Sequence, residues 1–304
     1  LNLLKDRIRA GLTPAHILII FYLFALSIIS LLYTQFFFVL IYIIAILFVK
    51  FLSYISSSSN YILRNYVGKF FLSFVVTFIF SSLGYLIPKI NPILYDRVLL
   101  NIDKYIFGVN PVVWIAENLA KPFLIEWFQI NYFFYFFFVI LIAIILIIKN
   151  KESDADFVIF SICFGFLVSY IGYIVFPALG PRDPTEEIEL ASDLLVVYPE
   201  KIQGIFFTPY LRNILVSLEK IKMNAFPSGH TMLTLLALSH YKKYTPNLFY
   251  FMLPVGISII LATLFCRYHY FIDVVAGIVL FILIKIIEKK VYVKILSFKQ
   301  FLSK

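Results

Sequence analysis

Residues 122–148 read PFLIEWFQINYFFYFFFVILIAIILII, an apolar run longer than the roughly 20 residues a helix needs to cross the hydrocarbon core of a bilayer. Outward from it, comparable runs fall at about 15–33, 36–52, 67–88, 156–178, 229–245, 248–266 and 271–288. The reading is therefore an all-α integral membrane protein with about eight transmembrane helices. Composition agrees: 62% of residues are hydrophobic and 14% charged, and the mean hydropathy is +0.94, far from the values of a soluble domain. The opening LNLLKDRIRAGL mixes Leu and Ile with Lys5, Arg7 and Arg9 and leads into an apolar stretch without a small-residue cleavage site, which predicts an interfacial helix followed by a retained span. Residues 1–62 thus supply that helix and two additional spans, 63–290 the membrane core, and 291–304 a basic cytoplasmic tail.

The balance of 26 Lys and Arg against 17 Asp and Glu gives a net charge of +9. In so apolar a chain this charge reports orientation, and no nucleic-acid partner is expected. With both termini cytoplasmic, the short inner loops collect Lys50, Arg64, Lys69, Lys149, Lys151, Lys242 and Lys243, as the positive-inside rule requires. The outer side then receives 89–121, 179–228 and the short turn from Arg267 to Phe271, and function is expected there. Residues 89–121 read as interfacial helices with Asp96, Asp103 and Glu117 on their wet face, and 181–193 form an acidic loop, PRDPTEEIELASD. Cys163 and Cys266 lack the spacing of a disulfide framework or a zinc site, and His240 reads as a hydrogen-bonded or interfacial residue.

Three motifs at span ends on the outer side carry ionisable residues, which are costly beside lipid and mark function by default. They are FPALGPR ending at Arg182, FPSGH ending at His230, and CRYHYFID with Arg267, His269 and Asp273. His269 and Asp273 are four positions apart, so one helical turn sets the carboxylate beside the imidazole. A carboxylate there fixes the tautomer and stabilises charge on the ring, making His269 the candidate nucleophile. His230 opens a span just after Pro227, Ser228 and Gly229, where first-turn amides bind anions. Arg182 and Arg267 supply planar cationic forks suited to phosphate oxygens. The combination describes phosphoryl transfer, one imidazole attacking and the other protonating the leaving alkoxide, with no metal and no cofactor called for: there is no HExxH and no Gly-rich nucleotide loop.

PSGH at 227–230, followed by RYHYFID with its His-x3-Asp core, resembles the type 2 phosphatidic acid phosphatase superfamily over about residues 67–288. The resemblance implies a six-helix catalytic core, a phosphohistidine intermediate formed without metal, and lipid phosphates, polyprenyl diphosphates or related head groups as substrates. Carried over by motif position, His269 matches the nucleophile, Asp273 its carboxylate partner and His230 the general acid, while Ser228 and Gly229 match the phosphate-binding turn. Two positions depart from the common pattern. Val175 stands where the first motif has Lys, with Asp183 after Arg182, and Ala262 and Thr263 replace the Ser-Arg that precedes the nucleophile. These departures, with FPALGPR, RYHY and IDKYIFGVNP, resemble the inositol phosphorylceramide synthase branch, whose members transfer a phosphorylated head group to a lipid alcohol. The expected partners are a lipid phosphate or phospholipid, the bilayer and possible lipid-alcohol acceptors. The site would face the periplasm of a bacterial inner membrane or the lumen of an endomembrane. Hydrolysis and head-group transfer both stay open, and a transporter that keeps the histidines as a binding site is the rival from another class.

Overall fold

A computed structural model describes residues 11–181, 202–218 and 223–302; Arg182 and the acidic tract that follows it lie outside the described residues. No strand occurs among the described residues. The helices are α1 (Pro14–Leu32), α2 (Phe36–Ser56), a π-helical segment (Leu63–Phe70) running into α3 (Leu72–Ile90), α4 (Asp96–Phe107), α5 (Pro111–Asn118), α6 (Pro122–Phe133), α7 (Tyr135–Ile148), α8 (Glu152–Val175), α9 (Thr208–Leu218), α10 (Gly229–Tyr244), α11 (Pro246–Phe265) and α12 (Phe271–Leu302).

Five of these are by themselves long and apolar enough to cross a membrane: α1, α2, the π segment with α3, α8 and α11. The count rises to seven if the bent pairs α4–α5 (67°) and α6–α7 (46°) each make one crossing. The run at 122–148 is thus a broken helix rather than a straight rod. Of the other runs read as spans, α10 has 16 residues, about 24 Å of rise, which is short for a straight crossing. The 271–288 stretch opens α12 and carries Asp273, Lys285 and Glu288. The chain is an all-helical integral membrane protein.

It divides into two compact units, Leu1–Ile90 with Ile140–Val168 and Leu283–Lys304, and Asn91–Val139 with Ser169–Ile282. In the first, α1 starts with Thr13 as N-cap and Pro14 at its first position, where a missing N–H costs nothing. His16 closes the capping box, and its Nε2 lies 3.0 Å from the Gly68 carbonyl, which makes this histidine a buried strut. A tight turn then returns the chain into α2, whose buried Tyr42 hydroxyl pairs with Ser82 of α3 at 2.9 Å. Arg64 and Lys69 of the π segment pair with Glu152 and Asp156 of α8, the Lys69–Asp156 contact being 2.7 Å. Ser161 and Lys285 both donate to Glu288.

Lys69 is only 5% exposed, so the cost of burying its ammonium is met by its acidic partners. Asp156→Ala is expected to lower stability by about 3–5 kcal/mol, whereas Lys69→Met combined with Asp156→Leu stays near wild type. Thermal unfolding in detergent measures both, and an alanine variant as stable as wild type contradicts the pairing.

Candidate active site

The site residues all fall within the second unit, and their placement follows from how two helices begin and one ends. α11 ends with Cys266 as C-cap. Beyond it the Arg267 amide donates to the Leu264 carbonyl (3.1 Å) and the Tyr268 amide to the Thr263 carbonyl (2.9 Å). This is a Schellman closure, which needs a left-handed residue after the cap. Arg267 fills that position at φ 59°, where glycine is the usual choice, and its side chain is 4% exposed. The turn places His269 directly before the N-terminus of α12.

That N-terminus is closed by carboxylates. Asp103 of α4 accepts from the Phe271 and Ile272 amides at 2.8 and 2.9 Å. Asp273, in the first turn, reaches back to the Tyr270 amide at 2.8 Å, the side-chain half of a capping box. Both suit the positive end of the helix dipole.

His269 Nδ1 lies 2.7 Å from the Ala225 carbonyl and 3.4 Å from Asp273 Oδ2. Both partners are acceptors, so Nδ1 carries the proton and the lone pair sits on Nε2. The His230 ring centre is 5.8 Å from that of His269. His230 is the second residue of α10, whose N-cap Ser228 accepts from the Thr231 amide and hydroxyl. The Ser228 amide donates to the Asp273 carbonyl at 3.0 Å, joining the two motifs through the main chain. Close packing against this turn is possible because Gly277 and Gly172 lack side chains: a Cβ on Gly277 would lie 2.6 Å from the Ser228 carbonyl oxygen, and one on Gly172 2.2 Å from Pro227 Cδ.

Of the residues singled out by sequence, His230, His269, Asp273, Ser228 and Gly229 are thus brought together, and Arg267 lies in the same turn as His269. Arg182 lies outside the described residues. Several neighbours had not been singled out. Tyr132 stacks on His230 with ring centres 4.3 Å apart and on Tyr268 at 4.1 Å, while Tyr135 lies 4.2 Å from His230 on a tilted plane. The His230 ring is therefore held by aromatic faces from α6 and α7.

The reading of Asp96 and Asp103 as wet-face residues is corrected: they are 1% and 0% exposed. Asp96 accepts from the Leu179 and Gly180 amides and the Tyr270 hydroxyl, fixing the chain after α8. Their positions, with Leu99 and Leu100 between, form one helical stripe, so both carboxylates share the apolar face of α4. Glu117 is exposed, as expected. Glu126 of α6 was not singled out either. It accepts from the amides of Ile205, Phe206, Phe207 and Thr208 and from the Thr208 hydroxyl, capping α9 from outside.

The two histidines are thus paired at helix ends within one helical unit. Residues 99–287 match the family described as the PAP2 superfamily, and the chain belongs to it. A stretch of 106 residues is 30% identical to a PA-phosphatase related-family protein of Dictyostelium discoideum, covering 34% of this chain and 18% of that protein. No solved structure matches.

Glu126→Ala strips an acceptor from four amides and a hydroxyl, and an expected loss of about 3 kcal/mol or more should appear as a lower melting temperature in detergent. An unchanged melting temperature contradicts the clamp.

Proposed function

We propose that this protein cleaves or transfers a lipid phosphoester through a phosphohistidine on His269. The observation that carries the reading is the pair of imidazole rings 5.8 Å apart, with Asp273 beside His269, in a chain of this family. In the first step the Nε2 lone pair of His269 attacks phosphorus, the bond from phosphorus to the leaving oxygen breaks, and His230 gives that oxygen a proton. In the second, the oxygen of water or of a lipid alcohol attacks phosphorus and yields its proton to His230, and the phosphorus–nitrogen bond breaks to restore His269. The Ala225 carbonyl and Asp273 hold the Nδ1 proton throughout and stabilise the positive ring. The first-turn amides of α10, with Arg267 and Arg182, are the proposed phosphate contacts. No step calls for a metal ion.

Head-group transfer of the inositolphosphoryl type to a lipid alcohol is the finer reading, supported by RYHY and by the replacement of the usual Ser-Arg with Ala262 and Thr263; hydrolysis of lipid or polyprenyl phosphates is its alternative. The proposed orientation puts the site on the extracytoplasmic or lumenal side, from the Lys and Arg of the short loops.

Purified wild-type, His269→Ala and His230→Ala proteins, given phospholipids and lipid phosphates with and without lipid alcohols, test the chemistry by mass spectrometry. Each alanine variant is expected to lose about a thousandfold or more in rate, and Asp273→Asn less, because the Ala225 carbonyl still orients the ring. Product from His269→Ala at the wild-type rate would overturn the nucleophile. Free phosphate indicates hydrolysis, and a head group on the added alcohol indicates transfer. EDTA should leave turnover unchanged; abolition with recovery on adding a divalent ion would overturn the metal-free route.

A further inference from the structure

α9 and the residues before it belong to neither the histidine pair nor a span. With 11 residues α9 rises about 16 Å, half a bilayer core at most. Its inner side is fixed firmly. Glu126 caps its N-terminus, Leu215 packs in a buried cluster with Phe128, Tyr132 and Tyr268, and Arg212 donates to the Cys266 carbonyl at 3.0 Å. The turn leading into it, with Tyr210 of its first turn, presents apolar surface: Ile205 is 51% exposed, Phe206 77%, Phe207 58% and Tyr210 66%. Three consecutive large apolar residues on a rigidly tethered turn are costly in water.

We infer that Ile205, Phe206, Phe207 and Tyr210 form an interfacial anchor seated in the lipid leaflet beside the histidine pair. The occupant follows from what the turn is tied to. Glu126 lies in the second turn of α6, a helix of the bent apolar pair, and Phe123, one turn before it, and Trp127, next to it, are themselves 60% and 52% exposed. The turn therefore continues the exposed apolar surface of a helix pair long and apolar enough to cross a bilayer. Phe and Tyr at a helix end suit the boundary between head groups and acyl chains, where a short amphipathic helix lies flat with its apolar face buried about 5–10 Å.

The consequence deepens the proposed function and rests on it. α9 touches the turn carrying His269 through Cys266 and Tyr268, so its seat in the leaflet sets the height at which a lipid head group meets the histidines.

The anchor is testable without any activity, so its failure is distinct from failure of the phosphohistidine reading. Cys163 and Cys266 are buried, so an NBD fluorophore can be attached at Phe206→Cys or, separately, at Tyr210→Cys in the whole 304-residue chain. The labelled proteins are placed in phosphatidylcholine vesicles with or without a lipid bearing a nitroxide near the top of its acyl chain. At both positions the nitroxide lipid is expected to remove roughly half of the emission or more, and aqueous iodide little. Quenching by iodide with none by the nitroxide lipid would place the turn in water. Protection from both quenchers would place it against protein, whether a second copy or another part of this chain. Either result overturns the anchor.

Discussion

The hydrogen bond from the Ser228 amide to the Asp273 carbonyl joins two motifs far apart in the sequence, and the candidate site depends on it. It brings the first turn of α10, which carries His230, against the first turn of α12, which carries Asp273. His269 is then held from both sides: Asp273 is on its own turn, and Ala225 precedes the cis Phe226–Pro227 peptide on the other. Because the link is between main-chain atoms, the spacing of the two histidines follows from backbone geometry and from the small residues that let helices approach the turn, Gly172 and Gly277.

Around this link, acidic side chains fasten loops to helices. Asp96, Asp103 and Glu126 each accept from two or more backbone amides of a segment that would otherwise end with unmatched donors. In a low-dielectric setting such bonds are strong, and the same setting makes an unpartnered amide expensive. These carboxylates act as cement. In the proposed reading catalysis falls to the histidines, whose orientation the cement preserves.

Much of this was legible in the sequence. Long apolar runs fixed the class of fold, and the spacing of PSGH and His-x3-Asp marked the family and the residues proposed to react. The bend within 122–148 was not, because Asn131 through Tyr135 carries neither proline nor glycine to announce it. The clamps were half legible: Asp96 and Asp103 share a stripe with Leu99 and Leu100, which points inward, yet charge alone suggested water. The Schellman turn at Arg267 was hidden, because its left-handed residue is not glycine. Nor does any side-chain pattern encode a carbonyl, so Ala225 had no signature at all.

That last contact bears on inheritance. The proton on His269 Nδ1 is steered chiefly by a backbone oxygen, and every residue that could stand at position 225 carries the same one. Drift at this codon therefore leaves the tautomer untouched, provided the new side chain fits where Ala225 is 1% exposed. The vulnerable locus is the path of the chain, so insertions or deletions between Ala225 and Ser228 threaten the imidazole more than point changes do. A lineage could vary the side chains around this imidazole widely while its lone pair stayed on Nε2.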